Sequence, residues 1–411
     1  MTPYMEGSIM SALILNSKVK QQLDSGYFEI FQTMPERYFS APGRTEISGN
    51  HTDHQHGCVL AGAVNLDTVA AVRINGTNKI RIQSKGYPMC EVSLDQLTPV
   101  ESEINSTPAL VRGVAARFAE FGCEVKGFDA YCESTVLPGS GLSSSAAYEV
   151  LIGTIINGLF FDKKLSAIEI AQVGQYAENV FFGKPCGLMD QMASSVGGMV
   201  FIDFKNPQAP VVEKINFDFA SAEHALCIID TGADHADLTD EYAAVPGELK
   251  ALCQILGEGE LCSIPKMDFY NNIQRVREEV GDRAVLRAIH VYDENQRVKL
   301  QKKALQAGDF NAFLSYVTES GLSSWRYLQN VIPAGRKEKQ EVAFALTIAE
   351  KLLNGRGACR VHGGGFAGTI QAFVPNDLLE EFKSGMESVL GEGSCYVLSI
   401  RPQGGVEMEV E

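Results

Sequence analysis

The 411-residue sequence lacks both an excess of positive charge and a long apolar run. It has 35 Lys and Arg against 51 Asp and Glu, a net charge of −16, and a general nucleic-acid or anionic-membrane surface needs clustered cations. The longest apolar run, VLIGTIINGLFF from Val150, is much shorter than the roughly 20 residues that cross a bilayer, and it predicts a buried helix. We therefore expect no nucleic-acid and no membrane partner.

Paired cysteines and a secretion signal are also missing. The ten cysteines include no CxxC pair, which fits neither a disulfide framework nor a zinc ribbon. The N-terminus has no basic start followed by a long apolar run, so it is a poor signal peptide. We expect reduced thiols and a cytoplasmic protein.

No internal repeat, low-complexity segment or evident linker divides the chain, so domain boundaries must come from the order of its elements. Extended patterns dominate before residue 100 and return at residues 199–234, whereas residues 268–346 are rich in helical patterns. Strands and helices mixed without a regular βαβα rhythm predict an α+β fold in two halves, residues 1–200 and 201–411.

The stretch PGSGLSSSAAYEV, from Pro138, is a glycine-rich loop that runs directly into a predicted helix. Such a junction presents unpaired backbone N–H groups and the positive end of the helix dipole, so phosphate is the predicted guest. The loop lacks the GK[ST] of a Walker A sequence and the third glycine of a dinucleotide fingerprint. Ser145 offers an oxygen to Mg²⁺, a hard cation. A plain loop with a serine N-cap is the alternative.

Two further stretches carry residues of interest. ENVFFGKPCGLMDQMASSVGG places Glu178 in a predicted helix and Asp190 beyond a turn. Acidic groups beside a phosphate loop can act as a metal ligand and as a base, although each alone is more often a solvated or capping carboxylate. VHGGGFAG, from Val361, lets a backbone pass close to a ligand, but by itself it fits a tight turn equally well.

The stretch GNHTDHQHGC concentrates His51, Asp53, His54 and His56 in a chain that holds only seven histidines. His and Asp are good zinc ligands, but their spacing matches no helical HExxH arrangement and no acidic or cysteine cluster is near. From these residues alone, a metal site, a binding loop for another ligand and a plain polar loop all stay open.

These stretches together resemble the galactokinases of the GHMP small-molecule kinase family. PGRTEISGNHTDHQHGCVLAGAV is similar to the galactokinase signature, PGSGLSSSAA to the phosphate loop, PCGLMDQMAS to the catalytic-aspartate segment and RVHGGGFAGTIQAFV to the third glycine motif. All four occur in the family's order. EYAA and LSSWRYLQNV also resemble family segments, so the likeness covers nearly the whole chain.

The resemblance implies a ribosomal-S5-domain-2-like N-terminal domain over residues 1–200 and a ferredoxin-like C-terminal domain over residues 201–411, with ATP and sugar meeting between them. It implies an ATP-dependent sugar 1-kinase that uses Mg²⁺, with galactose as the first choice of substrate and galactose 1-phosphate as the product. The oligomeric state stays open between monomer and dimer.

The resemblance also implies roles for individual residues. Arg44 and Asp190 would be the catalytic residues at the reacting hydroxyl, and we expect an ion pair between them. The predicted sugar-binding residues are Asn50, His51, Asp53, Gly187 and Tyr242. The predicted ATP-binding residues are Gly139, Ser140, Gly141, Leu142, Ser143, Ser144 and Ser145. The predicted Mg²⁺ ligands are Ser145 and Glu178.

Two positions depart from the family's pattern. Galactokinases usually carry a glutamate where this chain has Asn50, and a tyrosine where it has His54. That glutamate contacts the 6-hydroxyl of the sugar in the family, whereas Asn50 brings no charge and offers both a donor and an acceptor. N-acetylgalactosamine and L-arabinose therefore stay as alternative substrates, and a non-catalytic sugar sensor as an alternative class.

Overall fold

A computed structural model describes residues 13–136, 141–184, 186–219, 221–233 and 238–410. Its strands are β1 Ile14–Leu15, β2 Arg37–Ser48, β3 Cys58–Ile74, β4 Lys79–Ser84, β5 Cys90–Ser93, β6 Phe128–Ser134, β7 Met199–Asp203, β8 Val211–Ile215, β9 His224–Asp230, β10 Ala358–Val361, β11 Thr369–Pro375, β12 Cys395–Leu398, β13 Val406–Glu407 and β14 Glu409–Val410. Its α-helices are α1 Ser17–Phe31, α2 Thr107–Glu120, α3 Ser144–Phe160, α4 Ala167–Tyr176, α5 Met189–Val196, α6 Thr239–Ile255, α7 Lys266–Asn271, α8 Ile273–Val280, α9 Asp282–Gln306, α10 Phe310–Ser323, α11 Glu341–Leu353 and α12 Leu379–Leu390.

The larger sheet is built around β3, which is long enough to serve two sets of neighbours. β2 runs antiparallel to most of β3, while β6 pairs with the C-terminal part of β3 and β7 with its N-terminal part. β13 adds to the outer edge of β2, β4 and β5 extend the sheet beyond β6, and β8 extends it beyond β7. The last part of the chain therefore returns to the sheet that the first half builds.

Helices α2 and α3 cover one face of the larger sheet. Val150, Ile152 and Ile155 of α3 are fully buried in the same apolar cluster as Phe39 of β2 and Val114 of α2. This is the buried helix that the apolar run predicts. Because α3 is buried along most of its length, its first turn is fixed relative to the sheet, and so is the adjoining segment 141–143.

The smaller sheet has the antiparallel order β10-β11-β9-β12. Alternate residues of β11 face opposite layers, as strand geometry requires. Ala372 and Val374 pack in a cluster with Leu346 of α11. Phe373 points the other way, into a cluster with Phe313 of α10 that also holds side chains of the larger sheet. The two sheets thus share a core across α10.

The α+β class predicted from the sequence is confirmed, and the helix-rich stretch predicted for residues 268–346 contains α8, α9 and α10. The structure adds α12 within the C-terminal tail, for which the sequence pattern indicated only turns and β-like runs. The division at residue 200 falls within β7, and it stays a prediction. Among the described residues, no helix combines the length and the apolar character needed to cross a membrane.

Replacement of Phe313 by Ala is expected to lower the free energy of unfolding by about 3–5 kcal/mol, because it removes a fully buried ring and leaves a cavity. The ring of Phe313 packs against those of Phe219, Phe310 and Phe373. Phe344→Ala is the matched control, since that ring is 48% exposed. Urea denaturation followed by circular dichroism compares them, and equal midpoints would contradict the place of Phe313 in the core.

Candidate active site

The centre of the site is an ion pair between Arg44 on β2 and Asp190 in the first turn of α5. Arg44 Nε lies 2.6 Å from Asp190 Oδ1, and Arg44 Nη2 lies 2.5 Å from Asp190 Oδ2, so the contact is bidentate. The third nitrogen, Nη1, donates to the carbonyl oxygen of Gly141. Ser143 Oγ donates to Asp190 Oδ2 at 2.8 Å. The ion pair expected from the sequence is present, and it contacts the phosphate loop.

Asp190 is held as a carboxylate. Burial opposes its ionisation, but the charge and hydrogen bonds of Arg44, together with the hydrogen bond from Ser143, outweigh that cost and lower the pKa of Asp190 below its ordinary value. A carboxylate of low pKa is a weak base, so this arrangement suits the orientation of a hydroxyl better than strong proton abstraction.

Irregularities in the pairing of β2 with β3 determine where the side chains of β2 point. The register shifts between Pro42 and Arg44 and again between Glu46 and Ser48. Such bulges re-aim side chains locally. Arg44 and Glu46, two residues apart on one strand, share a face and both line the same cavity.

That cavity has a volume of about 230 Å³ and lies beside the ion pair. Besides Arg44 and Asp190, its wall includes Glu46, His51 and Asp53. Carboxylates accept hydrogen bonds, a guanidinium donates them and imidazole can do either, so the wall offers separate partners for several hydroxyl groups. A small polyol fits this combination better than an apolar ligand.

His51 and Asp53 are positioned by close backbone contacts. His51 has a left-handed φ of 61°, and its Nε2 lies 3.0 Å from the carbonyl oxygen of Gly364. A Cβ at Gly187 would lie 2.3 Å from Asp53 Oδ2, so only glycine allows this approach. Asp53 Oδ1 also accepts from the backbone N–H of His54 at 2.9 Å. The structure therefore brings His51, Asp53 and Gly187 together, as predicted.

Asn50 is placed differently from the other predicted sugar ligands. It is fully buried and is not among the described residues that line the cavity. Its Nδ2 donates to the carbonyl oxygen of Gly363 at 2.5 Å and to Glu46 Oε1 at 3.2 Å. Its Oδ1 accepts from Asn330 Nδ2 at 2.8 Å and from Ser324 Oγ at 3.2 Å. The protein itself occupies both ends of this amide.

Tyr242 lies behind the third glycine motif. Its hydroxyl donates to the carbonyl oxygen of Gly365 at 2.7 Å, and its ring lies so close to Gly364 that a Cβ there would be 2.8 Å from it. Tyr242 is not among the described cavity-lining residues either. A sugar contact by Tyr242 stays a prediction.

Glu46 lines the cavity, and sequence reasoning missed it. The residue is 4% exposed overall, and its Oε1 accepts from Arg360 Nη2 at 2.8 Å. Burial raises the pKa of Glu46, although the charge of Arg360 acts in the opposite direction. The available signal was the position of Glu46 two residues after Arg44 in an alternating strand.

Gly139 and Ser140 lie outside the described residues, and the rest of the phosphate loop meets the third glycine motif. Gly141 has a φ of 72°, and a Cβ there would lie 2.7 Å from Thr369 Oγ1. The carbonyl oxygen of buried Leu142 accepts from the backbone N–H of Arg44 at 3.0 Å.

Ser143 precedes α3, while Ser144 and Ser145 form its first turn. The positive end of the α3 dipole therefore lies beside the ion pair.

Glu178 belongs to a group of buried polar side chains that also includes residues the sequence did not indicate. Gln191 Nε2 donates to Glu178 Oε2 at 2.9 Å and to Glu149 Oε2 at 3.0 Å. Burial and the charge of Glu178 raise the pKa of Glu149 well above its ordinary value. Glu149 Oε1 and Gln191 Oε1 are buried and have no hydrogen-bond partner among the described residues. Ser145 lies one turn before Glu149 on α3. Lys184 Nζ lies 3.9 Å from Glu178 Oε1, so the predicted pairing of Ser145 and Glu178 around Mg²⁺ stays a prediction.

The histidines of the stretch 51–56 have separate partners. His56 Nδ1 lies 3.7 Å from Glu260 Oε2, His51 contacts Gly364, and His54 is exposed beside Asp53. Within the described ranges, no three His, Cys, Asp or Glu side chains are grouped as they would be around a metal ion.

Comparison with known proteins gives two family matches. The profile described as "GHMP kinases N terminal domain" matches residues 109–198, and the profile described as "Galactokinase galactose-binding signature" matches residues 25–74. A galactokinase of Streptomyces coelicolor is 31% identical over 353 residues, which cover 84% of this chain and 86% of that protein.

Solved structures agree with this similarity. The crystal structure of Lactococcus lactis galactokinase complexed with galactose has a TM-score of 0.80 and 26% identity, covering 94% of this chain and 99% of that one. A mevalonate kinase has a TM-score of 0.62 at 13% identity, covering 90% of this chain and all of its own, and it shows the fold alone.

His51 is expected to stay neutral throughout the physiological range. Burial lowers the pKa of His51 to about 4, although its hydrogen bond to Gly364 favours the protonated form. The unfolded chain takes up this proton near pH 6.5, so the contribution of His51 to stability is complete above about pH 6.5 and declines as the pH falls towards 4.

A carbon-detected NMR titration of the imidazole measures this pKa, with the His51→Asn variant to assign the signal. A midpoint near 6.5 would contradict the partly buried position of the ring beside Gly364.

Proposed function

Because the chain belongs to the galactokinase family of the GHMP kinases, we propose that it transfers the γ-phosphoryl group of ATP to the 1-hydroxyl of galactose. The observation that carries this proposal is the bidentate contact of Arg44 with Asp190. This ion pair lies between a cavity suited to a polyol and a helix N-terminus suited to phosphate.

Arg44 and Asp190 act on the sugar hydroxyl that faces the phosphate loop. Asp190 accepts a hydrogen bond from this hydroxyl and points its oxygen at the terminal phosphorus, while Arg44 offsets the negative charge that develops there. The transition state of phosphoryl transfer is loose, so a weak base that fixes the direction of attack is sufficient. The low pKa of Asp190 is consistent with this role.

The phosphates of ATP lie at the first turn of α3 in this proposal. Backbone N–H groups and hydroxyls from Gly141 to Ser145 bind their oxygens, together with Gly139 and Ser140. Ser145 and Glu178 would hold Mg²⁺, which when bound neutralises charge on the phosphate oxygens. The chain's own contribution is to fix these oxygens beside the Arg44 guanidinium.

Two alternatives differ in what they require. A non-catalytic sugar sensor has no need of the catalytic and phosphate-loop groups, yet Arg44, Asp190, Glu178 and Ser145 are all present, which supports catalysis. N-acetylgalactosamine or L-arabinose as the preferred sugar is supported by the buried, fully hydrogen-bonded Asn50, because the pocket near it differs from the family's pattern.

All ten cysteines are free thiols, which supports a cytoplasmic location.

The purified protein is expected to convert galactose and Mg-ATP to galactose 1-phosphate and ADP. A panel of galactose, N-acetylgalactosamine, L-arabinose, glucose and galacturonate is compared by kcat/KM, and phosphorus NMR identifies the phosphorylated position. Product at any position other than the 1-hydroxyl, or ATP turnover that no sugar increases, would refute the proposal.

Asp190→Ala and Arg44→Ala are each expected to lower kcat by roughly a hundredfold or more, because the hydroxyl loses its orientation. Asp377→Ala is the control, since Asp377 forms an ion pair with Arg356 at the surface, where Arg356 Nη2 contacts both carboxylate oxygens. We expect its kcat to stay unchanged. Circular dichroism checks that each variant is folded, and near-wild-type turnover of folded Asp190→Ala would exclude the assigned role.

A further inference from the structure

We propose that Glu46 is a sugar-binding residue, and that its Oε2 accepts a hydrogen bond from a sugar hydroxyl other than the one that is phosphorylated. This inference rests on the proposed function and adds to it a contact that determines which sugars bind. It follows from the orientation of Glu46, the hydrogen bonds that hold it and the way Asn50 is used.

The two oxygens of the Glu46 carboxylate have different surroundings. Oε1 accepts from Arg360 Nη2 at 2.8 Å and from Asn50 Nδ2 at 3.2 Å. Oε2 accepts no hydrogen bond from the part of the chain that the structure describes. It is also not one of the buried side-chain atoms that lack a hydrogen-bond partner. A carboxylate held by one oxygen leaves the other to accept from a ligand in the cavity that Glu46 lines.

Hydrogen bonds from residues of the smaller sheet hold the backbone of Glu46 in place. They limit how far its side chain can move from the cavity. Its N–H donates to His362 Nε2 at 3.2 Å, and its carbonyl oxygen accepts from Arg360 Nη2 at 3.1 Å and from Gln371 Nε2 at 2.9 Å. Arg360 is fully buried, and its positive charge offsets part of the cost of burying the carboxylate. The acceptor is therefore held in place before a sugar binds.

Asn50 donates a hydrogen bond to Glu46 and does not itself serve as the acceptor for a sugar hydroxyl. Its amide is used by Gly363, Asn330, Ser324 and Glu46, so a hydroxyl could reach it only by breaking one of these bonds. In this chain, the carboxylate in this part of the cavity is at position 46.

The strand sets which hydroxyl Glu46 can reach. Arg44 and Glu46 are two residues apart, and a strand rises roughly 3.3 Å per residue, so their side chains leave the backbone about 7 Å from one another. A sugar with its reacting hydroxyl at Arg44 and Asp190 therefore presents a different hydroxyl to Glu46. That hydroxyl donates, because a carboxylate only accepts.

The test combines the Glu46→Gln variant with galactose and its 2-, 3-, 4- and 6-deoxy analogues. We expect Glu46→Gln to raise the KM for galactose roughly tenfold or more, because a charge-assisted hydrogen bond is lost, and to leave the KM for ATP unchanged. One analogue is expected to bind the wild type and the variant equally, since it lacks the hydroxyl that Glu46 contacts. That analogue identifies the hydroxyl.

Glu407→Gln is the matched control. Glu407 forms a bidentate ion pair with Arg37 at the other end of β2, away from the cavity, and its loss is expected to leave the KM for every sugar unchanged. A purely structural role of Glu46 predicts instead that Glu46→Gln lowers the melting temperature and penalises all analogues equally.

The outcomes are distinguishable. If the wild type phosphorylates galactose and the penalty of Glu46→Gln is the same for every deoxy analogue, or is absent, Glu46 does not bind the sugar. If the wild type phosphorylates no sugar, the proposed function fails, and the inference that rests on it fails with it.

Discussion

The bidentate contact between Arg44 and Asp190 joins the parts of the molecule that must act together. Arg44 comes from β2 and Asp190 from α5, while Gly141 and Ser143 of the phosphate loop contact the same two side chains. Moving β2 or α5 would leave the Arg44 guanidinium or the Asp190 carboxylate without its partner, which is costly. The pair therefore fixes the relative positions of the sugar cavity and the helix N-terminus.

The smaller sheet also contributes to the site. Neutral and charged side chains near the ends of β10 and β11 contact the residues around Glu46. His362 Nε2 receives the backbone N–H of Glu46, so this nitrogen is the unprotonated one and Nδ1 carries the hydrogen, which faces Thr369 Oγ1 at 2.8 Å. Burial lowers the pKa of His362 well below its ordinary value, and the charge of Arg44 adds to this effect. A neutral imidazole at this junction avoids a third positive charge beside Arg44 and Arg360.

Local patterns predicted much of the fold. The extended patterns before residue 100 cover β2 and β4, the apolar run predicted α3, and the serine-rich loop before α3 was predicted as a phosphate site from the chemistry of helix termini. The same patterns did not indicate α12, because its amphipathic stretch lies among turn glycines and β-like runs. Gln191 and Glu149 were missed because buried polar groups are identified by their partners, and those partners are distant in sequence.

The sequence contains the motifs of a sugar kinase in the family's order, and its resemblance to that family implied that Arg44, Asp190 and the phosphate loop belong to one site. Only the tertiary structure decided that Glu46 faces the cavity and that Asn50 does not. The physical reason is that both orientations depend on bulges set by pairing with β3 and on hydrogen bonds to residues more than 300 positions later, such as Gly363 and Arg360. Alternation along β2 places Glu46 on the same face as Arg44, but no local pattern indicates the bulges or these distant partners.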